Sequence, residues 1–181
     1  HIQIGSLSVL IDTSPDIKYQ CLKNKIRSLD AIIYTHDHSD QTAGIFEMRP
    51  FFWKNNKKIP VYASSRTINQ LISKYTFCFK SRFGYKPIMK YKKISNKFFI
   101  KKRNFKLSFN SFEVSHGMIK STAFVFSKIA YISDCNGIDT KNYKYLTNLK
   151  YLVIDCLKYN KHPSHFNYDD SLRLIEILKP K

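Results

Sequence analysis

Short apolar runs bounded by polar turns fill the first part of the chain. They predict buried strands separated by helices. Leu7 to Ile11 is such a run; it ends at Asp12 and leads into a Ser14-Pro15 turn, after which Asp16 caps a helix through about Ile26. Ala31 to Thr35 reads as a second buried strand, and beyond a polar loop Thr42 to Phe46 begins a short helix. Pro60 to Ala63 predicts a strand and Ser64 to Phe77 a helix. Lys86 to Lys106 is basic and aromatic with no helical period, so it reads as a loop leading into strands. Short strands follow at Lys106 to Phe109, Phe112 to Ser115, Ala123 to Phe126 and Ala130 to Ser133. Asn142 to Leu146 predicts a short helix, and Tyr151 to Ile154 a strand ending at Asp155. Asp169 to Leu178 predicts a helix with apolar residues Leu172, Leu174, Ile175 and Leu178. Helices alternate with strands around a strand-rich middle, which predicts a layered α/β domain over residues 1–181.

Composition narrows this picture. At 181 residues and 43% hydrophobic, the chain suits one domain with a real core. Fourteen Phe and 12 Tyr argue against disorder. No stretch approaches the ~18 apolar residues that would span a bilayer, and no signal-peptide pattern opens the chain. The first residue is His1, so the N-terminus is expected to be cropped. The net charge is +18, and its source is local: from Met48 to Phe112 there are 17 Lys or Arg and no Asp or Glu. Such a block attracts anions, phosphates and nucleic acid among them. A lysine-rich genome produces the same excess, and Asn, Ile, Phe and Tyr are also abundant. Cys21, Cys78, Cys135 and Cys156 form no C-x-x-C pair and fit no zinc ribbon. They read as reduced, buried thiols of a cytoplasmic protein.

The histidines carry the chemistry. Thr35-His36-Asp37-His38-Ser39-Asp40-Gln41 directly follows the buried strand Ala31 to Thr35. A strand end is a rigid platform for ligands. His36 and His38 are two apart and share a face of an extended backbone, so both imidazoles can grip one cation. Asp40 adds a hard oxygen suited to a second cation. Two further strand ends extend the set: His116 after Phe112 to Val114, and Asp134 after Tyr131 to Ser133. Three imidazoles for one metal and a carboxylate able to bridge to another complete a candidate site.

The order H-x-H-x-D, a later His, then an Asp after a small residue resembles the metallo-β-lactamase superfamily. Leu10 to Asp16, Thr35 to Asp40, Gly44-Ile45, Arg49-Pro50-Phe51 and His162-Pro163-Ser164-His165 are similar to its phosphoribosyl cyclic phosphate phosphodiesterase branch. The resemblance implies an αββα sandwich, incomplete at its N- and C-terminal edges, with a dinuclear site. His36, His38 and His116 would bind the first metal, Asp40 the second, and Asp134 both. His165 would give a proton to the leaving oxygen, and His162 would assist it or line the pocket. Asp12 and Asp37 would orient imidazoles; Asp155 is either another such group or a turn residue. Three departures stand out: Gln41 replaces the usual His, the branch's final metal-ligating His has no counterpart before Lys181, and the opening is short.

The expected activity is that of a metal-dependent hydrolase, a phosphodiesterase acting on a small phosphodiester, cyclic esters among the candidates, through a metal-bound hydroxide, with one or two divalent ions (Zn or Mn). Its catalytic residues would be His165 and Asp134. Two other readings stand beside it. One is a non-catalytic remnant of the same fold, suggested by Gln41 and the missing His. The other is an RNA-binding or RNA-processing protein, suggested by Lys and Arg interleaved with Tyr91, Phe98, Phe99 and Phe105.

Overall fold

The structure is a computed structural model; it describes residues 1–81 and 84–181. The chain divides into two compact units. One comprises His1–Ile94 with Ile100–Lys106, the other Ser95–Phe99 with Leu107–Lys181.

In the first unit, a five-stranded sheet has the order β1-β2-β3-β4-β5, with β1 Ile2–Ile4, β2 Leu7–Ile11, β3 Ala31–Ile33, β4 Ile59–Ala63 and β5 Met89–Lys93. β1 runs antiparallel to β2, and β2 to β5 are mutually parallel. Parallel strands are covered on both faces, so they read as unbroken apolar runs. All three residues of β3 are fully buried. The connections are helical: α1 (Ile17–Lys23), α2 (Ser39–Thr42), a 3-10 turn at Ile45–Met48, α3 (Arg49–Asn55), α4 (Ser65–Lys74) and α5 (Thr76–Phe79). Leu10, Ile32 and Val61 from the strands and Tyr34 just after β3 pack with Ile17, Ile45, Ile68 and Leu71 in one core cluster.

The second sheet has the order β10-β9-β8-β7-β6, with β6 Lys97–Lys102, β7 Phe105–His116, β8 Ile119–Phe126, β9 Ile129–Ile132 and β10 Tyr151–Ile154. β7, β8 and β9 form an antiparallel meander, and β10 joins β9 in parallel. A 3-10 turn at Thr140–Tyr145 and helix α6 (Tyr168–Leu178) complete the chain. Phe112, Val114, Ala123, Ala130, Ile132, Leu146 and Leu149 form the core of this unit. Two five-stranded sheets in a mixed α/β chain are consistent with the expected metallo-β-lactamase sandwich. Among the described residues, no helix is long and apolar enough to cross a membrane. All four cysteines are unpaired, and Cys156 alone among them is exposed.

Several local expectations need correction. The segment read as a loop, Lys86 to Lys106, holds β5 and β6. β5 is an edge strand with four of its five residues exposed, so it shows no burial alternation, and its lysines discourage a further strand from pairing there. Lys106 to Phe109 and Phe112 to Ser115 are parts of one strand, β7; Ser111 between them is buried and bonds Ser95 O and Asn96 O. The helix expected over Ser64 to Phe77 breaks at Tyr75 into α4 and α5. Asp16 sits at the N-cap position of α1 without capping it through its side chain; its carboxylate accepts from Ser14 Oγ and Gln20 Nε2, which holds its pKa below the usual range. The aromatic interleaving from Tyr91 to Phe105 is partly internal packing, because Phe98 stacks on Phe109 at 4.8 Å.

Candidate metal centre

In the first unit the candidate ligands stand where two parallel strands end side by side. Asp12 follows β2 and Thr35-His36 follow β3, and Asp12 N donates to Ile33 O at 2.8 Å. Asp12 adopts φ 58°, a left-handed conformation that Asp tolerates better than most residues. This turn aims its carboxylate along the neighbouring strand. Oδ1 accepts from Thr35 N at 2.8 Å and Oδ2 from Thr35 Oγ1 at 2.9 Å. The Thr35 hydroxyl has one proton, already given to Asp12, so toward His36 Nδ1 at 3.0 Å it acts as acceptor. His36 therefore carries its proton on Nδ1 and a lone pair on Nε2, the arrangement a metal ligand needs. Thr35 thus links Asp12 to His36.

His36 is fully buried and His38 exposed; their rings meet edge to face at 4.6 Å. Gly44 lets the backbone carrying this loop press onto the β2 turn. Its N–H donates to Thr13 O, and a Cβ there would collide with Ser14 O. Asp37 does not orient an imidazole in the contacts seen. Burial would raise its pKa, but the hydrogen bond and charge of Lys74 Nζ at 2.9 Å win and lower it. Asp40 is exposed, and its Oδ2 accepts from Gln41 Nε2 at 3.0 Å. The residue that replaces the usual His thus contributes an amide donor to the expected ligand.

In the second unit, His116 closes β7, Asp134 follows β9, and His165 lies in the irregular segment before α6. Their ligand atoms all lie within 4.8 Å of one another. His116 Nδ1 donates to the Ser164 carbonyl at 2.7 Å, which again leaves Nε2 with the lone pair. His165 Nδ1 sits 2.7 Å from Asp155 Oδ2 and 3.5 Å from Asp134 Oδ1. Asp155 is buried, and the same oxygen accepts from Cys135 N at 2.8 Å. Asp155 therefore serves in both roles left open for it, meeting the His165 ring and tying the Cys135 N–H after the strand. His162 packs at 5.1 Å from His165, and its Nδ1 lies 3.2 Å from Ser164 Oγ. Burial and the neighbouring Lys158 charge hold its pKa below the ordinary value.

The site residues therefore fall into two local groups: His36 with His38 in the first unit, and His116, Asp134 and His165 in the second. Thr35 and the Ser164 carbonyl were missed, because each acts through a tertiary contact that sequence spacing does not reveal. Thr35 left one signal, a hydroxyl directly before the first His at a strand end. The donor set suits a divalent cation: two imidazoles are fixed in the metal-binding tautomer by hydrogen bonds, and carboxylates accompany both groups.

Residues 8–181 match the model of the β-lactamase superfamily domain, and the chain belongs to that superfamily, in its metallo-β-lactamase form. A diphosphatase of the PhnP family superposes with a TM-score of 0.88 at 29% identity, covering 99% of this chain and 67% of that one. YhfI from Bacillus subtilis, a metallo-β-lactamase fold protein, shares the fold with a TM-score of 0.75 at 17% identity over 98% of this chain and 72% of its own. An octanoyltransferase of Porphyromonas gingivalis is 26% identical over 169 residues, 92% of this chain. The present chain spans 34% of that curated relative's length.

Proposed function

We propose that the protein is a metal-dependent phosphodiesterase acting on a small phosphodiester, with a cyclic phosphate as one form of it. His36, His38, Asp40, His116 and Asp134 are the metal ligands in this reading, and one or two Zn or Mn ions are the cofactor. The observation that carries it is the cluster of His116, Asp134 and His165 with Asp155 behind the last ring. The likeness to a PhnP-family diphosphatase along 99% of the chain supports phosphorus as the reacting centre.

Divalent ions held there supply Lewis acidity toward phosphoryl oxygens and lower the pKa of water from 15.7 toward about 7. The protein's own groups do the rest. Thr35 and the Ser164 carbonyl keep Nδ1 of His36 and His116 protonated, so both rings offer Nε2 and neither can turn. Asp155 accepts the Nδ1 hydrogen bond of His165 and holds the ring, and in this reading the proton for the leaving group is carried on Nε2. From there it passes to the departing alkoxide oxygen. General-acid assistance of this kind is worth about 10²–10⁴-fold. Basic residues of the Met48 to Phe112 block suit an anionic substrate.

Turnover of bis(p-nitrophenyl) phosphate by metal-supplemented protein tests the reading. Wild-type protein hydrolyses it, and His38→Ala loses both bound metal and turnover. Unchanged turnover in His38→Ala overturns the proposal.

A further inference from the structure

The segment that carries His165 has no regular secondary structure. Residues 161–166 form neither helix nor strand, and Pro163 has no N–H to give. Something other than backbone periodicity must hold the candidate proton donor at its position. One side chain stands out. Asn136 Oδ1 accepts from Gly117 N at 3.1 Å, and Asn136 Nδ2 donates to the Pro163 carbonyl at 2.7 Å. A single carboxamide thus ties the turn directly after His116 to the segment that carries His165. Asn136 is fixed in turn, since its own N–H donates to Ser115 O at 2.8 Å and Ser115 N donates to Gly137 O at 2.9 Å.

We propose that Asn136 is the positioning residue of this site, setting the His165 segment in register with the His116 turn. This rests on the phosphodiesterase reading for what His165 does, though not for the tie itself. The chemistry at position 136 is specific. The group must accept on one side and donate on the other, in one plane and with the reach of two side-chain bonds. A carboxylate accepts only, so Asp would turn an oxygen toward the Pro163 carbonyl. Ala would leave both partners unserved. The close approach is also built into the turn. Gly117 adopts φ +58°, and a Cβ there would lie 2.9 Å from Ser164 Cβ. The two segments are in contact at Gly117, and Asn136 ties the neighbouring carbonyl. Further ties, from His116 Nδ1 to Ser164 O and from Phe166 N to Cys135 O, hold the flanks, so loss of Asn136 loosens the segment without unfolding the unit.

The test separates positioning from stability. Asn136→Asp and Asn136→Ala are compared with wild type on two substrates in metal-supplemented buffer. One is bis(p-nitrophenyl) phosphate, whose phenolate departs without a proton. The other is a nucleoside 2′,3′-cyclic phosphate, whose alkoxide needs one. Hydrogen exchange at the amides of residues 164–166 and at Gly117 is measured in parallel. Expected are an about 10- to 100-fold loss on the cyclic ester against less than about 3-fold on the aryl ester. Exchange at 164–166 should rise at least about tenfold in both variants, and Gly117 should keep its protection in Asn136→Asp alone. Equal losses on both esters, or unchanged exchange, overturn the proposal. If wild type cleaves neither ester, the phosphodiesterase reading fails, while the exchange data still decide whether Asn136 holds the segment.

Discussion

Thr35→Val is the sharpest perturbation of the first unit. Valine keeps the shape and the branched Cβ that suits a strand end, so no cavity opens and the change is the loss of one hydroxyl. That hydroxyl donates to Asp12 and accepts from His36, and all three residues are at most 5% exposed. Water cannot easily replace what is lost. A buried polar group left without its partner costs about 1–3 kcal/mol, more when charged. Asp12 keeps the Thr35 N–H at 2.8 Å, which cushions its share. The sum is about 2–4 kcal/mol, a large fraction of the ~5–15 kcal/mol that holds a domain together. Urea unfolding of metal-stripped protein in EDTA measures it, with Thr35→Ser as the control that keeps the hydroxyl. The same change frees the His36 tautomer, and groups that orient metal-bound histidines typically contribute 10–100-fold in affinity. Competition with a chromogenic chelator should show a loss of about that size. A Thr35→Val protein within about 0.5 kcal/mol of wild type, with unchanged metal affinity, refutes the relay from Asp12 to His36.

Three other outcomes follow from the same geometry. Gly117→Ala forces a left-handed conformation on a residue with a Cβ, at about 1–2 kcal/mol, and crowds Ser164; a melting curve should fall accordingly and turnover should fall further. Asp155→Asn removes the carboxylate that holds the His165 ring at 2.7 Å and should reduce turnover of the cyclic ester by about 10- to 100-fold, measured at saturating metal. Cys78 is fully buried, and burial pushes its thiol up to about 12 from the ordinary 9.0. Its folded pKa is raised, so its contribution to stability is fully present below pH about 9 and is lost as pH rises toward 12. Denaturant midpoints should decline over that window, and at pH 8 iodoacetamide should modify exposed Cys156 while sparing Cys78.

The parts of the candidate site that were legible in the sequence are those where local pattern and chemistry coincide. Ala31 to Ile33 is apolar at every position because a parallel strand is buried on both faces, and the polar burst from Thr35 to Asp40 marks where that burial stops. His116 and Asp134 were found the same way, at the ends of β7 and β9. β5 was missed because an exposed edge strand has no inside face to pattern its residues. The turn of Asp12 toward Thr35 joins positions 23 residues apart, and the pairing of His165 with Asp155 joins positions ten apart. Neither leaves a periodic trace. Asn136 was invisible for the same reason, since its two partners lie 19 and 27 residues away. The family resemblance supplied the proposed roles of His36, His38, Asp40, His116 and Asp134; the structure adds hydrogen bonds to two of those rings.

In the proposed function these five side chains hold catalytic metal. Elemental analysis of the purified protein after exhaustive dialysis, set beside His116→Ala prepared identically, tests it most directly. One or two equivalents of zinc or manganese in wild type, falling to near zero in a His116→Ala protein that remains folded, is the predicted result. Wild-type protein that takes up no divalent ion, or a His116→Ala protein that retains the full complement, contradicts it.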